Sequence, residues 1–153
     1  MRRSGWWTLV ALGMSGPAFG FGVEVPRPQL CAWSDLAVVA EVGATEVRWA
    51  QGPRGDLETV ADLSVVRTVH GAAPADVFVR APGGRMGSLV QRVEDAATLA
   101  VGARYLLLLR RAPDGDGWIV VGGEAGAIRL ADAQTRGERE ADAVASLGGC
   151  RAR

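Results

Sequence analysis

The chain contains no lysine: all 17 of its basic residues are arginine. That absence removes Schiff-base chemistry and any catalytic ammonium group. Histidine is almost as scarce, because His70 is the only one. A single imidazole cannot build a His-rich zinc site, and Cys31 and Cys150 stand too far apart to form a short-spaced metal pair. Neither a metal nor another cofactor is therefore expected. An excess of positive charge is also missing, with 17 acidic residues against the 17 arginines. Balanced charge argues against nucleic acid or an anionic membrane as a partner. Beyond the first two dozen residues no apolar run approaches the length of a membrane-spanning helix, so no transmembrane anchor is expected there.

What is present begins at the N-terminus. Met1, Arg2 and Arg3 make a positive start, Trp6 to Met14 a short apolar core, and small residues follow around Ala18, Gly20 and Gly22. This is the three-part pattern of a secretory signal peptide, with a core too short to anchor. Residues 1–22 read as the signal, residues 23–153 as a single domain, and the protein as exported, periplasmic or secreted. The mature N-terminus is expected between Phe19 and Val23. Removing Arg2 and Arg3 leaves 15 basic against 17 acidic residues, a net charge of −2. Exported chains mature in oxidising compartments, where an even cysteine count reads as a disulfide. Cys31 and Cys150 would then tie the two ends of the domain together. The role would be structural, because the pair is not a Cys-x-x-Cys motif.

Strand signals dominate the domain. Leu36, Val38, Ala40 and Val42 alternate against Glu41, as a half-buried strand continuing to Trp49 requires. Turn residues occupy 51–55, and alternation resumes from Leu57 to Val69, with Ala61, Leu63, Val65 and Val69 on one side. A short strand over 76–80 precedes the Pro82-Gly83-Gly84 turn, and Ser88 to Val93 is a further candidate. Residues 94–100 could form one helical turn. Tyr105 to Leu109 is apolar without alternation, which predicts a strand buried on both faces. Residues 113–117, Pro-Asp-Gly-Asp-Gly, predict a hairpin turn, because Asp and Gly tolerate positive φ. Strands over 118–121 and 127–130 follow. From Thr135 to Leu147 the spacing of Ala141, Val144 and Leu147 predicts an amphipathic helix ended by Gly148 and Gly149. Six or seven short strands and one terminal helix predict a mainly β fold: a small closed or nearly closed antiparallel barrel with the helix packed on it.

Three stretches carry a resemblance: Cys31 to Val42, Pro82 to Gly87, and Gly102 to Leu109. Their layout resembles the OB-fold-like domains of exported bacterial proteins, similar to the netrin module and the tissue inhibitors of metalloproteases. The resemblance spans about Cys31 to Leu130 and implies an OB-like barrel. Those inhibitors chelate zinc with a mature N-terminal cysteine. Cys31 stands well inside the expected mature end, so that mechanism does not transfer.

No catalytic set assembles from the residue types. Ser34, Ser64, Ser88 and Ser146 lie outside any Gly-x-Ser-x-Gly elbow. Asp114-Gly115-Asp116 fits a hairpin turn better than a calcium loop, and residues 82–87 fit a plain turn better than a phosphate cradle. Trp33, Trp49 and Trp118 read as core or rim packing. The leading expectation is a non-enzymatic exported module that binds a protein or envelope partner. The alternative is a small secreted hydrolase using His70 or a pair of carboxylates.

Overall fold

The computed structural model describes residues 24–52, 54–130, 136–148 and 150; the expected signal peptide and its boundary with the domain lie outside them. In chain order the elements are α1 (Arg27–Ala32), β1 (Leu36–Trp49), β2 (Leu57–His70), β3 (Val77–Pro82), β4 (Gly84–Met86), β5 (Leu89–Gln91), β6 (Arg104–Arg111), β7 (Trp118–Val120), a 3₁₀ turn (Gly123–Gly126), β8 (Ala127–Leu130) and α2 (Arg136–Ala145). Strands β1 and β2 pair antiparallel from Ala37 opposite His70 to Trp49 opposite Leu57. Strand β3 adds to β2, and β6 pairs with the other edge of β1. Strand β7 joins β6 to β3, so the order β1–β2–β3–β7–β6–β1 closes a five-strand barrel. That closure is compatible with an OB-like fold. Strand β8 continues along the β6 edge that β7 vacates, pairing with Arg104 to Leu107.

The expectation of a purely antiparallel barrel is corrected at one seam. Strands β3 and β7 run parallel, through only Val79 opposite Trp118 and Arg80 opposite Ile119. The connection between them passes through β4, β5 and β6, long enough for the chain to return in the same direction.

Two apolar layers hold the domain. Leu36, Val38, Ala40 and Val42 of β1 meet Val79 of β3 and Leu107 and Leu109 of β6 inside the barrel. Ala37 and Val39 of β1, with Leu106 and Leu108 of β6, face outward onto Leu30 and Cys31 of α1 and Ala143 and Leu147 at α2. The first half of β1 is therefore buried on both faces, not half-buried as its alternation suggested. Strand β6 is buried on both faces as its unbroken leucine run predicts.

Pro26 caps helix α1 and Pro28 stands in its first turn, positions where a missing N–H is harmless. The Ser34 hydroxyl donates to the Cys31 carbonyl at its end, 2.7 Å away. The buried positions are Ala143 of α2 and Leu147 in the turn that follows it, with Val144 beside them, while Ala141 is exposed. The i, i+4 spacing of 143 and 147 follows the 3.6-residue helical period more closely than the expected 141, 144, 147 row. Cys31 and Cys150 form a disulfide with Cα atoms 5.5 Å apart. It links α1 to the chain beyond α2 within the outer layer, and both cysteines pack there.

The β1–β2 ladder contains extra residues at Val66 and Val69 of β2 and near Gly43 of β1. Each such bulge reverses which side the following residues face. Val65 therefore packs into the barrel and Val69 onto the outer layer, correcting the single shared face expected for them. Among the described residues no strand pairs with β2 beyond Leu63 on its β3 side, and the two bulges blunt that open edge.

Candidate functional site

The β3–β7 seam is two residue pairs long, and past Arg80 and Ile119 the strands part. Three adjoining cavities follow from that parting, all lined by Ala81 and Pro82 of β3. The largest, about 380 Å³, lies between Gly83, Gly84 and the stretch from Val90 to Leu99. The next, about 260 Å³, sits between Ile119 and Val120 of β7 and the loop from Val93 to Ala97. The third, about 240 Å³, is bounded by Ala50, Leu57, Glu58 and Ala112. Together they form a largely apolar groove across the barrel's parallel seam.

Local conformation fixes one wall of this groove. Asp95 is left-handed, with φ +59°, which is uncommon for a residue with a side chain. Its carbonyl accepts the Glu124 N–H at 2.9 Å. At Gly123 any side chain would collide with that same carbonyl, so the 3₁₀ turn closes onto the loop only because residue 123 is glycine. The hairpin of β4 and β5 makes the other wall. Gln91 anchors it, accepting the Leu57 N–H and donating to Asp56. Strand β5 falls within the strand expected over 88–93, and its pairing with β4 makes a hairpin where a simple turn at 82–84 was expected. Residues 94–100 are irregular, with no helical turn among them.

A charge network borders the groove. The largely buried Glu58 receives Arg48 Nε on one oxygen and Arg80 Nε on the other, each at 2.8 Å. Arg80 also donates to Asp114 and to the Asp116 carbonyl, and Arg48 reaches Asp116 at 3.4 Å. Two guanidiniums thus meet three carboxylates, and the hairpin turn between β6 and β7 is tied to three strands of the barrel. The bond from Asp114 is the main influence holding Arg80 protonated beyond the ordinary guanidinium range, and Glu58 does the same for Arg48. In return, Arg80 holds the Asp114 carboxyl below the usual range. With both oxygens of Glu58 engaged, the groove's most buried carboxylate is a counterion and not a group free to attack or to relay a proton.

The residues singled out in the sequence are dispersed. His70 ends β2 opposite Ala37, outside the lining of the groove. No hydrogen bond joins it to a serine or carboxylate among the described residues. Ser34 and Ser146 donate to the main chain, at Cys31 and Ala143. Asp114 and Asp116 form the expected turn, the Asp116 N–H donating to Asp114 Oδ1 at 3.0 Å between the positive-φ Gly115 and Gly117. Trp118 is buried in the barrel, its ring covered by the Arg111 guanidinium at 4.2 Å. Trp33 and Trp49 are each 53% exposed. No cluster of metal-ligating side chains occurs among the described residues, and none of their helices is long and apolar enough to cross a membrane. The sequence carries no signal for the groove because its walls come from six separate stretches with no common motif.

No protein-family model matches the chain, and no curated protein matches it at a significant level.

Proposed function

We propose that this chain is an exported, non-enzymatic binding module whose ligand lies in the groove across the β3–β7 seam. The observation that carries the reading is the set of three adjoining, mainly apolar cavities sharing Ala81 and Pro82. Binding sites favour concave, apolar, preformed surfaces with a few placed polar groups. Export is supported by the signal-like N-terminus and by the Cys31–Cys150 bond, which persists in oxidising compartments. OB-like barrels that hold oligonucleotides use strands 2 and 3 with the loops between strands 1 and 2 and strands 4 and 5. Here that face carries Arg48 and Arg80 against Glu58, Asp114 and Asp116, a formal charge of −1. Phosphate backbones need several unpaired cations. With Arg48 and Arg80 spent on carboxylates, Arg92 is the one lining arginine without an ion pair among the described residues, which favours a protein or envelope component over a nucleic acid.

Photo-crosslinking tests this directly. A crosslinker at Val93 or Ile119 should capture one partner from the source's envelope extract, while one at Val66, exposed on the open edge of β2, should not. Equal capture at Val66, or none at the groove, overturns the assignment. His70→Ala should leave partner capture unchanged. A hydrolytic activity lost by orders of magnitude on that change would instead establish an enzyme.

A further inference from the structure

Away from the groove, α1, β8 and α2 meet around a cavity of about 220 Å³ lined by Arg27, Ile128, Arg129, Leu130, Arg139, Asp142 and Ala143. We propose that Arg27, Arg129 and Arg139 form a binding site for a phosphate group. Three guanidiniums less the one carboxylate of Asp142 leave a local charge of +2. A phosphomonoester carries close to the opposite charge, about −1.5 to −2 at neutral pH. Guanidinium forks match its oxygens in pairs.

Arg48, Arg67, Arg80 and Arg104 each pair with a carboxylate. Among the described residues no carboxylate lies within ion-pair distance of Arg27, Arg129 or Arg139. Arg54, Arg85, Arg92, Arg110 and Arg111 also have no ion pair among the described residues, so what distinguishes Arg27, Arg129 and Arg139 is that they line one cavity. Glu140, next to Arg139 in the chain, is drawn away to Arg67 of β2 at 2.9 Å. Grouping like charges opposes folding through mutual repulsion, and a bound anion relieves it.

One of the three arginines is anchored, and the elements that carry all three are joined, before any ligand arrives. Arg27 donates to the Ser146 hydroxyl at 3.1 Å, and that hydroxyl donates to the Ala143 carbonyl at 2.6 Å. One guanidinium nitrogen is thereby fixed while the rest of the fork stays available. Beneath the cavity, Leu30, Leu130, Ala143 and Leu147 pack in the outer layer, and the Cys31–Cys150 bond fastens α1 to the chain beyond α2. The cations thus project from three elements that cannot easily move apart.

Calorimetric titration of the full chain with inorganic phosphate, at low and constant ionic strength, tests the proposal. Saturable binding is expected, and Arg129→Gln and Arg139→Gln should each weaken it about ten-fold or more, as loss of a charge-assisted hydrogen bond implies. Arg110→Gln, which removes an exposed cation from β6, should change it less than about two-fold on the same principle. Urea midpoints of the variants establish that each is folded, and Arg129→Lys, which keeps charge without the fork, should fall between. Two further arms separate the sources of phosphate. Vesicles of phosphatidylcholine with phosphatidic acid, against phosphatidylcholine alone, report a lipid headgroup, and glycerol phosphate reports a soluble ester. Binding in either arm that Arg129→Gln weakens supports the site and identifies its ligand. No saturable binding of inorganic phosphate, or an equal loss with Arg110→Gln, overturns it.

Discussion

Reducing the Cys31–Cys150 bond perturbs this fold at the point where its two ends are joined. The bond encloses 119 residues, nearly all of the described domain. Loop-closure entropy for that length gives on the order of 4–5 kcal/mol, because the uncrosslinked chain gains that much freedom when unfolded. Strain in the native state or residual structure in the unfolded one lowers the figure. Chemical reduction is a cleaner perturbation than substitution. Cys31 is only 1% exposed, among Leu30, Leu130, Ala143 and Leu147, and reduction keeps both sulfurs in that packing while cutting the link. Urea titrations with and without reductant should show the reduced form less stable by this amount. Its m-value should be higher, since an open unfolded chain exposes more surface than a looped one. In heat the same change corresponds to a drop on the order of 15–20 °C for a domain of this size. A loss below about 1 kcal/mol, far under the loop-closure figure, would show that the bond does not restrain the unfolded chain. Two thiols titrating in the untreated protein would refute the bond itself.

The barrel interior and the charge network give two more expectations. Leu107→Ala should cost about 2–5 kcal/mol in urea, the usual range for truncating a fully buried leucine; a cost under about 1 kcal/mol would mean that the β6 run is not central. Asp114 is depressed in the fold, chiefly by Arg80, so its stabilising effect is complete above the ordinary Asp range near pH 4 and is lost as pH falls through the lower folded value. Asp114→Asn should accordingly flatten the acid side of the stability profile between about pH 5 and pH 2, and unchanged profiles would show that the Arg80 contact is not maintained in solution.

Much of the barrel was legible because its signals are local. The leucines at 106–109 had no polar partner to alternate with, and a strand buried on both faces is the place for such a run. Positive φ at Gly115 and Gly117 explains why Pro-Asp-Gly-Asp-Gly reads as a turn. What escaped depends on events that leave no period in the sequence. A bulge at Val66 or Val69 reverses a face without changing the residue types around it. Helix α1 is six residues long, too short for a helical stripe. The parallel seam is decided by how the chain returns to β3, not by the three residues of β7.

Charge shows the same division between what a sequence totals and what a fold separates. The balance of 17 acidic and 17 basic residues argues against a highly charged partner only if the charges stay mixed on the surface. They do not. Around the groove, Glu58 and the 114–116 turn bring acids from β2 and the β6–β7 hairpin onto Arg48 and Arg80, residues 10 to 68 positions away, and the result is close to neutral. Around α1, β8 and α2 three arginines line one cavity with a single carboxylate, Asp142, while Glu140 is spent on β2, and the result is cationic. Salt distinguishes the two surfaces. Binding in the groove, carried by apolar burial, should hold or strengthen as salt rises, whereas anion capture by exposed guanidiniums should weaken as screening shortens their reach. A neutral total therefore conceals two surfaces of different chemistry, and the separation follows from tertiary pairing that no count of residues records.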